Sequence, residues 1–135
     1  MNKKIDRMQN CTRHDARTRL RHAELYLEVA EVALAGDMDE QPTIATGNAV
    51  LAAIAAADAI CCAAAGSRYR GSDHRQAAEH LEQVTGDKRL GGLLRDIIDL
   101  KDAGHYGLSN VGPSRAKSTF RKAEQLMVAA RERVR

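Results

Sequence analysis

A lysine, a histidine and a tyrosine that could take part in catalysis or binding lie close together in the second half of the chain. Three residues separate Lys101 from His105, and Tyr106 follows directly. Histidine titrates near neutral pH and can act as a general acid or base. Lysine can supply a positive charge to a phosphate group. One interpretation of this segment is therefore a site for phosphate chemistry, with His105 as the acid or base.

The position of these residues on a helix makes the lysine and the histidine unusual. At about 100° per residue, Lys101 and His105 continue the apolar stripe that Leu90, Leu94 and Ile97 form. An unpaired charge on a core-facing stripe is costly. Three interpretations stay open: the helix leaves the core at its last turn, the two side chains are satisfied structural groups in the bundle or at a dimer seam, or they form a site.

Tyr106 can join Lys101 and His105 in a site only if the helix does not continue regularly through it. It falls on another side of the same helical wheel, so it reaches the pair only where the helix unwinds. Gly104 and Gly107 permit such unwinding.

Asp58 is a second anomaly, because it lies in an alanine-rich apolar run on the same helical face as Ile54 and Cys61. A carboxylate in such a place needs a partner. Lys101 or His105 across the bundle would serve, which would make Asp58 a member of the site. A buried ion pair or a solvent-facing notch is the alternative interpretation.

A basic cluster surrounds the expected start of the third helix. Arg68, Arg70, His74 and Arg75 lie there, and the free N–H groups of a helix N-terminus attract anions. This pattern favours a phosphate or RNA contact, although Asp73 opposes it. A plain basic loop is the other interpretation.

The elements that must position these residues are helices. Hydrophobic residues make up 44% of the 135, but there is no Trp, one Phe and only two Pro, and no segment alternates like a strand. The pattern predicts an all-α, single-domain bundle of about five helices over 12–135, after a flexible N-terminus at 1–11. The predicted helices run from Thr12 or Asp15 to Gly36, and over about 43–65, 73–84, 88–105 and 113–133.

Charge and cysteine content indicate the setting. The net charge is +3, with basic ends and an acidic middle. Cys11, Cys61 and Cys62 form no disulfide framework by count, and the adjacent pair is expected to be buried thiols, which favours a reducing, cytoplasmic compartment. No spacing of His and Cys predicts a metal, no cofactor motif occurs, and the apolar run 49–65 is too short to predict a membrane span.

The order of several segments resembles the HEPN domains, helical bundles named for nucleotide binding in higher eukaryotes and prokaryotes. The segments are AAIAAADAICCAAAG, SDHRQAAEHL, LLRDIIDLKDAGHYG and AKSTFRKAEQLMVAARERV, and the resemblance covers about 15–133. The chain is most similar to small actinobacterial members. The resemblance implies a four-helix-bundle core and a homodimer, often within a toxin–antitoxin, defence or stress system and with a nucleotidyltransferase-like antitoxin as partner.

The resemblance implies that active members are metal-independent ribonucleases, whose motif is an Arg, then four to six intervening residues, then a His, with the site shared across the dimer. His105 matches the histidine of that motif, whereas Lys101 stands in place of the arginine at a shorter spacing. Lysine lacks the planar fork of arginine. Two functions therefore stay open: a module that binds a partner protein, a nucleotide or RNA, and a toxin-type ribonuclease.

Overall fold

A computed structural model of the chain describes residues 7–100 and 107–135. Within these ranges the protein is a helical bundle with one small antiparallel sheet, which confirms the predicted all-α class. The elements are β1 (Met8–Asn10), α1 (Arg13–Leu34), α2 (Gln41–Ala65), β2 (Ser67–Tyr69), α3 (His74–Thr85), α4 (Lys88–Ile98) and α5 (Pro113–Arg133).

Helix α2 is the centre of the bundle. Pro42 lies in its first turn, where a missing N–H costs nothing, and Gly66 ends it in the left-handed region at φ 68°. The helix is long and apolar enough to cross a membrane, but 67% of its most apolar 18-residue window is buried inside the protein. This burial is typical of the core helix of a soluble bundle.

Helices α1 and α5 pack against α2 through alanines spaced seven residues apart. A seven-residue step returns to nearly the same face of a helix, and a stripe of such small side chains lets two backbones approach closely. Both stripes are buried: Ala16, Ala23 and Ala30 on α1, and Ala116, Ala123 and Ala130 on α5.

Helices α3 and α4 close the other side of the core with larger side chains. Leu81, Leu90, Leu94 and Ile97 are fully buried in the same cluster as the alanines of α1, α2 and α5. The Asp73 carboxylate caps α3 by accepting from the N–H of Arg75, so it occupies the helix end that was expected to attract an anion.

The helix that carries the predicted site is shorter than expected. It begins at Lys88 as predicted, but it ends at Ile98 with Asp99 as its C-cap, and not at His105. Lys101, His105 and Tyr106 lie outside the described residues. Their placement on the apolar stripe, which assumed one unbroken helix, stays a prediction.

The prediction of a flexible N-terminus is wrong for its last residues. Met8–Asn10 pair with Ser67–Tyr69, with Gln9 directly opposite Arg68. Cys11 then forms a disulfide with Cys62. The first helix begins after Thr12, one of the two predicted starts, and the Thr12 hydroxyl accepts from the Asp15 N–H in a capping box.

The disulfide also corrects the prediction of two adjacent buried thiols. Cys61 is a buried free thiol, but Cys62 is bonded to Cys11 across 51 residues of sequence. Adjacent residues on a helix point about 100° apart, so the two sulfurs serve different faces of α2. The inference of a reducing compartment, which depended on unpaired cysteines, loses that support.

Candidate functional site

Three charged residues from separate elements meet beside α2, and we call them the Asp58 cluster: Asp58, Arg19 and Arg68. One carboxylate oxygen, Oδ2 of Asp58, accepts from both arginines. Arg19 donates through Nε at 3.1 Å and Nη2 at 2.9 Å, and Arg68 donates through Nη1 at 2.8 Å. Asp58 is 8% exposed, so the cluster satisfies a carboxylate that burial would otherwise leave unpaired.

The local fold explains why each arginine reaches Asp58. Arg19 follows Ala16 by three residues and precedes Ala23 by four, so it sits at the edge of the buried stripe of α1. Arg68 lies in β2, which begins directly after the left-handed Gly66 turns the chain away from α2. The turn brings Arg68 back towards Asp58, ten residues earlier.

Each arginine has a second partner that fixes its orientation. Arg68 donates from Nε to Oε1 of Gln9 on β1 at 2.8 Å, and Arg19 donates from Nη1 to Nδ1 of His22 at 3.1 Å. Since arginine has only donors, Nδ1 of His22 is the acceptor in this contact. Gln9 therefore connects the N-terminal strand directly to the cluster.

Burial and charge act in opposite directions on Asp58. Burial, the larger effect, raises the pKa of Asp58 above its ordinary value, and the charges of Arg19 and Arg68 oppose that rise. Two guanidinium groups share one carboxylate, so the cluster keeps an excess positive charge. That excess is available to an incoming anion.

An open cavity of about 280 Å³ lies against the cluster, and its lining residues are of two kinds. The apolar ones come from the three helices α2, α3 and α4: Ile54, Ala57, Ala77, Leu94 and Ile98. The polar ones include Arg19, Asp58, Arg68, Arg70 and His80. A cavity with this mixed lining suits a ligand that has an anionic group and an apolar or planar group.

Arg70 and His80 differ in their freedom to meet a ligand. Arg70 is exposed at the cavity, and its backbone N–H donates to the Arg7 carbonyl of the N-terminal segment at 3.0 Å. His80 is half-buried, and its Nε2 lies 3.2 Å from the Ser67 carbonyl oxygen. Among the arginines that line this cavity, Arg70 thus has the side chain most accessible to solvent.

Cys61 lines the same cavity but is not suited to nucleophilic chemistry. Burial, together with the charge of Asp58, raises the pKa of the Cys61 thiol to about 12. The thiolate is the reactive form of cysteine, so at neutral pH this side chain acts as a small apolar group.

A second open cavity has a volume of about 330 Å³. Arg19 and Arg68 line both cavities. The second cavity is also lined by Gln9, by His22 and by the two cysteines of the disulfide, Cys11 and Cys62. The disulfide therefore lies beside the cluster and not in a remote part of the fold.

The structure brings only some of the predicted site residues together. Asp58 is a member of a buried ion pair, as one interpretation held, and its partners among the described residues are Arg19 and Arg68. Its predicted pairing with Lys101 or His105 stays a prediction, because both residues lie outside the described ranges. Of the basic cluster, Arg68 turns inward to Asp58, and Arg70 faces the cavity. Arg75 is exposed beyond the cavity wall.

The structure describes His74 only in part. His74 is the first residue of α3, and its side chain lies outside the described part of the chain. Within the described ranges, no group of three or more His, Cys, Asp or Glu side chains could hold a metal ion.

Sequence reasoning missed Arg19, Gln9 and His80. A signal existed for Arg19, because its spacing from Ala16 and Ala23 places a charge at the edge of a buried stripe, much as Asp58 interrupts α2. Gln9 carries no such signal, since a three-residue strand is too short to show a period of two.

Comparisons with known proteins add no assignment to this geometry. No protein-family model matches the chain, and no curated protein matches it significantly. The HEPN-like assignment is therefore a proposal, supported by the quoted sequence segments and by the all-α bundle.

Proposed function

We propose that this protein is a HEPN-like helical module that binds a small phosphate-bearing ligand, a nucleotide, at the cavity beside the Asp58 cluster. The observation that carries the proposal is the convergence of Arg19, Arg68 and Arg70 on one cavity. Among the described lining residues, Asp58 supplies the single opposing carboxylate. Three guanidinium groups against one carboxylate leave a site that favours an anion.

The mixture of cationic and apolar residues that line the cavity supports a nucleotide over a bare anion. Guanidinium groups bind phosphate oxygens in a planar, two-pronged geometry, and the exposed Arg70 is free to do so. The apolar side chains of Ile54, Leu94 and Ile98 face the same space and can cover a base. The cavity lies at the small end of ligand pockets, which matches a mononucleotide better than a dinucleotide.

An NMR titration tests this proposal with a matched set of probes. The backbone amides of the oxidised full chain are followed while adenosine monophosphate, adenosine or inorganic phosphate is added. We expect the monophosphate to shift the amides of 68–71 and of α4 near Leu94, with adenosine and phosphate each weaker. Shifts confined to the basic N-terminus, or equal for all three probes, would contradict a built nucleotide site.

A metal-independent ribonuclease with a site shared across a homodimer is the second candidate function. The supporting observation is that α4, which precedes Lys101 and His105 in sequence, ends at Ile98 in the cavity wall. In this version His105 assists attack by the RNA 2′-hydroxyl, and Lys101 and the arginines hold the phosphate. Asp58 then holds the arginines in place, and Tyr106 is an additional contact.

Incubation with mixed RNAs distinguishes the two candidates. Cleavage that disappears in His105→Ala and persists in His22→Ala supports the ribonuclease. Binding of the monophosphate without any RNA cleavage supports the module that only binds. Cleavage that survives His105→Ala points to another group as the acid or base.

The biological setting is part of the same proposal. A HEPN-like module is expected to work in the cytoplasm as a homodimer, in a toxin–antitoxin, defence or stress context. A nucleotidyltransferase-like antitoxin is the expected protein partner. Size-exclusion chromatography with light scattering tests the homodimer on the purified chain.

A further inference from the structure

A small number of hydrogen bonds join the N-terminal segment 7–11 to Gly66, Arg68 and Arg70, of which the two arginines line the ligand cavity. Gln9 accepts from Arg68, the Cys11 N–H donates to the Gly66 carbonyl at 2.9 Å, and the Arg70 N–H donates to the Arg7 carbonyl. The strand pairing covers only Met8–Asn10. Isolated two-stranded ribbons of this kind are marginally stable in water.

One covalent bond holds this weakly attached strand in place. The Cys11–Cys62 disulfide fixes the residue directly after β1 to the buried core helix α2. The packing of α1 on α2 already brings Cys11 close to Cys62, and the disulfide adds a covalent anchor at the end of β1. Without the disulfide, only the few hydrogen bonds of β1 oppose its separation from β2, because α1 tethers the strand without pairing with it.

We propose that this disulfide is a redox lock on the ligand site: its reduction by a dithiol frees β1, removes Gln9 from Arg68 and weakens binding at the cavity. The affinity part of this inference rests on the proposed nucleotide function, whereas the release of the strand does not. The partner implied is a cellular dithiol reductant, such as a protein with two exchangeable thiols.

The chemistry balances as ordinary thiol–disulfide exchange. A thiolate of the dithiol attacks one sulfur and forms a mixed disulfide, and its second thiol then displaces the remaining protein sulfur. Two electrons and two protons pass to Cys11 and Cys62, and the reductant leaves as a disulfide. Cys11 is half-buried whereas Cys62 is only 3% exposed, so attack is expected at the Cys11 sulfur.

The surroundings of the bond suit reversible exchange. The disulfide lines the open cavity that Arg19 and Arg68 also line, and nearby cations stabilise a leaving thiolate. Cys61, the neighbour of Cys62, faces the other cavity as a buried protonated thiol. It is therefore poorly placed to replace either bonded sulfur.

The loss of β1 would act directly on the cluster. Gln9 is the acceptor for Arg68 Nε, and Asp58 is the acceptor for Arg68 Nη1. A guanidinium held at two points is oriented, whereas one held at a single point can rotate. Arg70 would lose its backbone bond to Arg7 in the same event. Two of the three cavity arginines thus depend on the N-terminal strand.

Amide hydrogen exchange of the full chain, oxidised and after treatment with dithiothreitol, tests the lock without any ligand. We expect the amides of 8–11 and 68–70 to exchange at least about tenfold faster after reduction, while those of α2 near Val50 stay protected. Cys11→Ser should show the fast pattern with or without the reductant. Equal protection of 8–11 in the oxidised and reduced proteins would overturn the lock.

Calorimetric titration with adenosine monophosphate tests the effect on the site. We expect reduction to weaken binding about tenfold, and Gln9→Ala to weaken the oxidised protein while β1 stays protected from exchange. A released strand with unchanged affinity would overturn the regulatory role. Absence of binding in both redox states would instead refute the nucleotide function, and the exchange data alone would then decide whether reduction frees the strand.

Discussion

Arg68 and Asp58 are joined by a 2.8 Å hydrogen bond between Nη1 and Oδ2, although they lie on different elements and differ in exposure. The Asp58 side chain is 10% exposed and that of Arg68 is 29% exposed. The carboxylate is therefore committed to the protein, whereas the guanidinium keeps an edge towards solvent. This difference is what allows one ion pair to stabilise the bundle and to offer a positive charge to a ligand.

Replacement of Asp58 by alanine should be clearly destabilising. It removes the acceptor for two arginines that are too enclosed to hydrate fully, and breaking a buried pair typically costs 3–5 kcal/mol. Because Arg19 and Arg68 are partly exposed, we expect a smaller loss, about 2 kcal/mol in the free energy of unfolding by urea denaturation.

The surface pair between Lys122 and Asp96 supplies the control for that variant. Its atoms are 3.3 Å apart and both side chains are well exposed. Lys122→Ala should change the free energy of unfolding by less than about 0.5 kcal/mol. Equal losses in Asp58→Ala and Lys122→Ala would mean that the Asp58 cluster is not a buried ion pair.

Asp58 should also leave a signature in the pH dependence of stability. Its folded pKa is raised, mainly by burial. Protonation of Asp58 therefore stabilises the folded protein. This stabilisation is fully present below the pKa that Asp58 has in the unfolded chain, and it is lost as pH rises through the pKa that it has in the folded protein. Asp58→Asn removes this titration, so the stability of wild type relative to the variant should fall with rising pH in that window.

Urea denaturation at intervals from roughly pH 3 to pH 7 measures this difference. The two curves should run parallel above the window, where Asp58 is ionised in both the folded and the unfolded chain. A wild-type protein that instead gains stability over Asp58→Asn as pH rises would show that the arginines, and not burial, dominate the pKa.

The disulfide should stabilise the whole bundle as well as β1. A crosslink across 51 residues restricts the unfolded chain, and such bonds typically contribute about 2–4 kcal/mol. Cys11→Ser is the informative variant, because Cys11 is only half-buried and loses little packing. We expect its urea midpoint to drop and to become insensitive to dithiothreitol, whereas wild type should match it only when reduced.

The close approach of α1 and α2 gives a prediction about packing. Ala30 is fully buried on the seven-residue stripe, whereas Val29 beside it is 50% exposed. Ala30→Leu should overpack the contact and cost about 1–3 kcal/mol, whereas Val29→Leu should be nearly neutral. Thermal unfolding of both variants by circular dichroism checks this, and an unchanged melting temperature in Ala30→Leu would contradict a tight contact.

The helices were predictable because their signals are local and repeated. Alanine spacing, the Thr12 capping box and the glycine at position 66 each act within one or two turns. The end of α4 was not predictable from the apolar stripe, because Lys101 and His105 continue the positions of that stripe past Ile98. A periodic pattern marks the face a helix would bury, but it does not mark where the helix ends.

The site was predictable in part only. Asp58 was found because a carboxylate in an apolar run is a local contradiction that demands a partner. The partner itself depends on contacts between residues 39 positions apart for Arg19, which one sequence does not encode locally. The Cys11–Cys62 disulfide could not be predicted for the same reason. The third cysteine, Cys61, makes the number of cysteines odd, which argued against a disulfide.

The affinity of adenosine monophosphate for two matched arginine variants tests the nucleotide site most directly. Arg70 is exposed at the cavity, whereas Arg121 is exposed on α5 and does not line it. Calorimetry on the oxidised protein should give about tenfold weaker binding for Arg70→Ala and wild-type binding for Arg121→Ala. Equal affinity in both variants, or no binding by wild type, would contradict a nucleotide site at the Asp58 cluster.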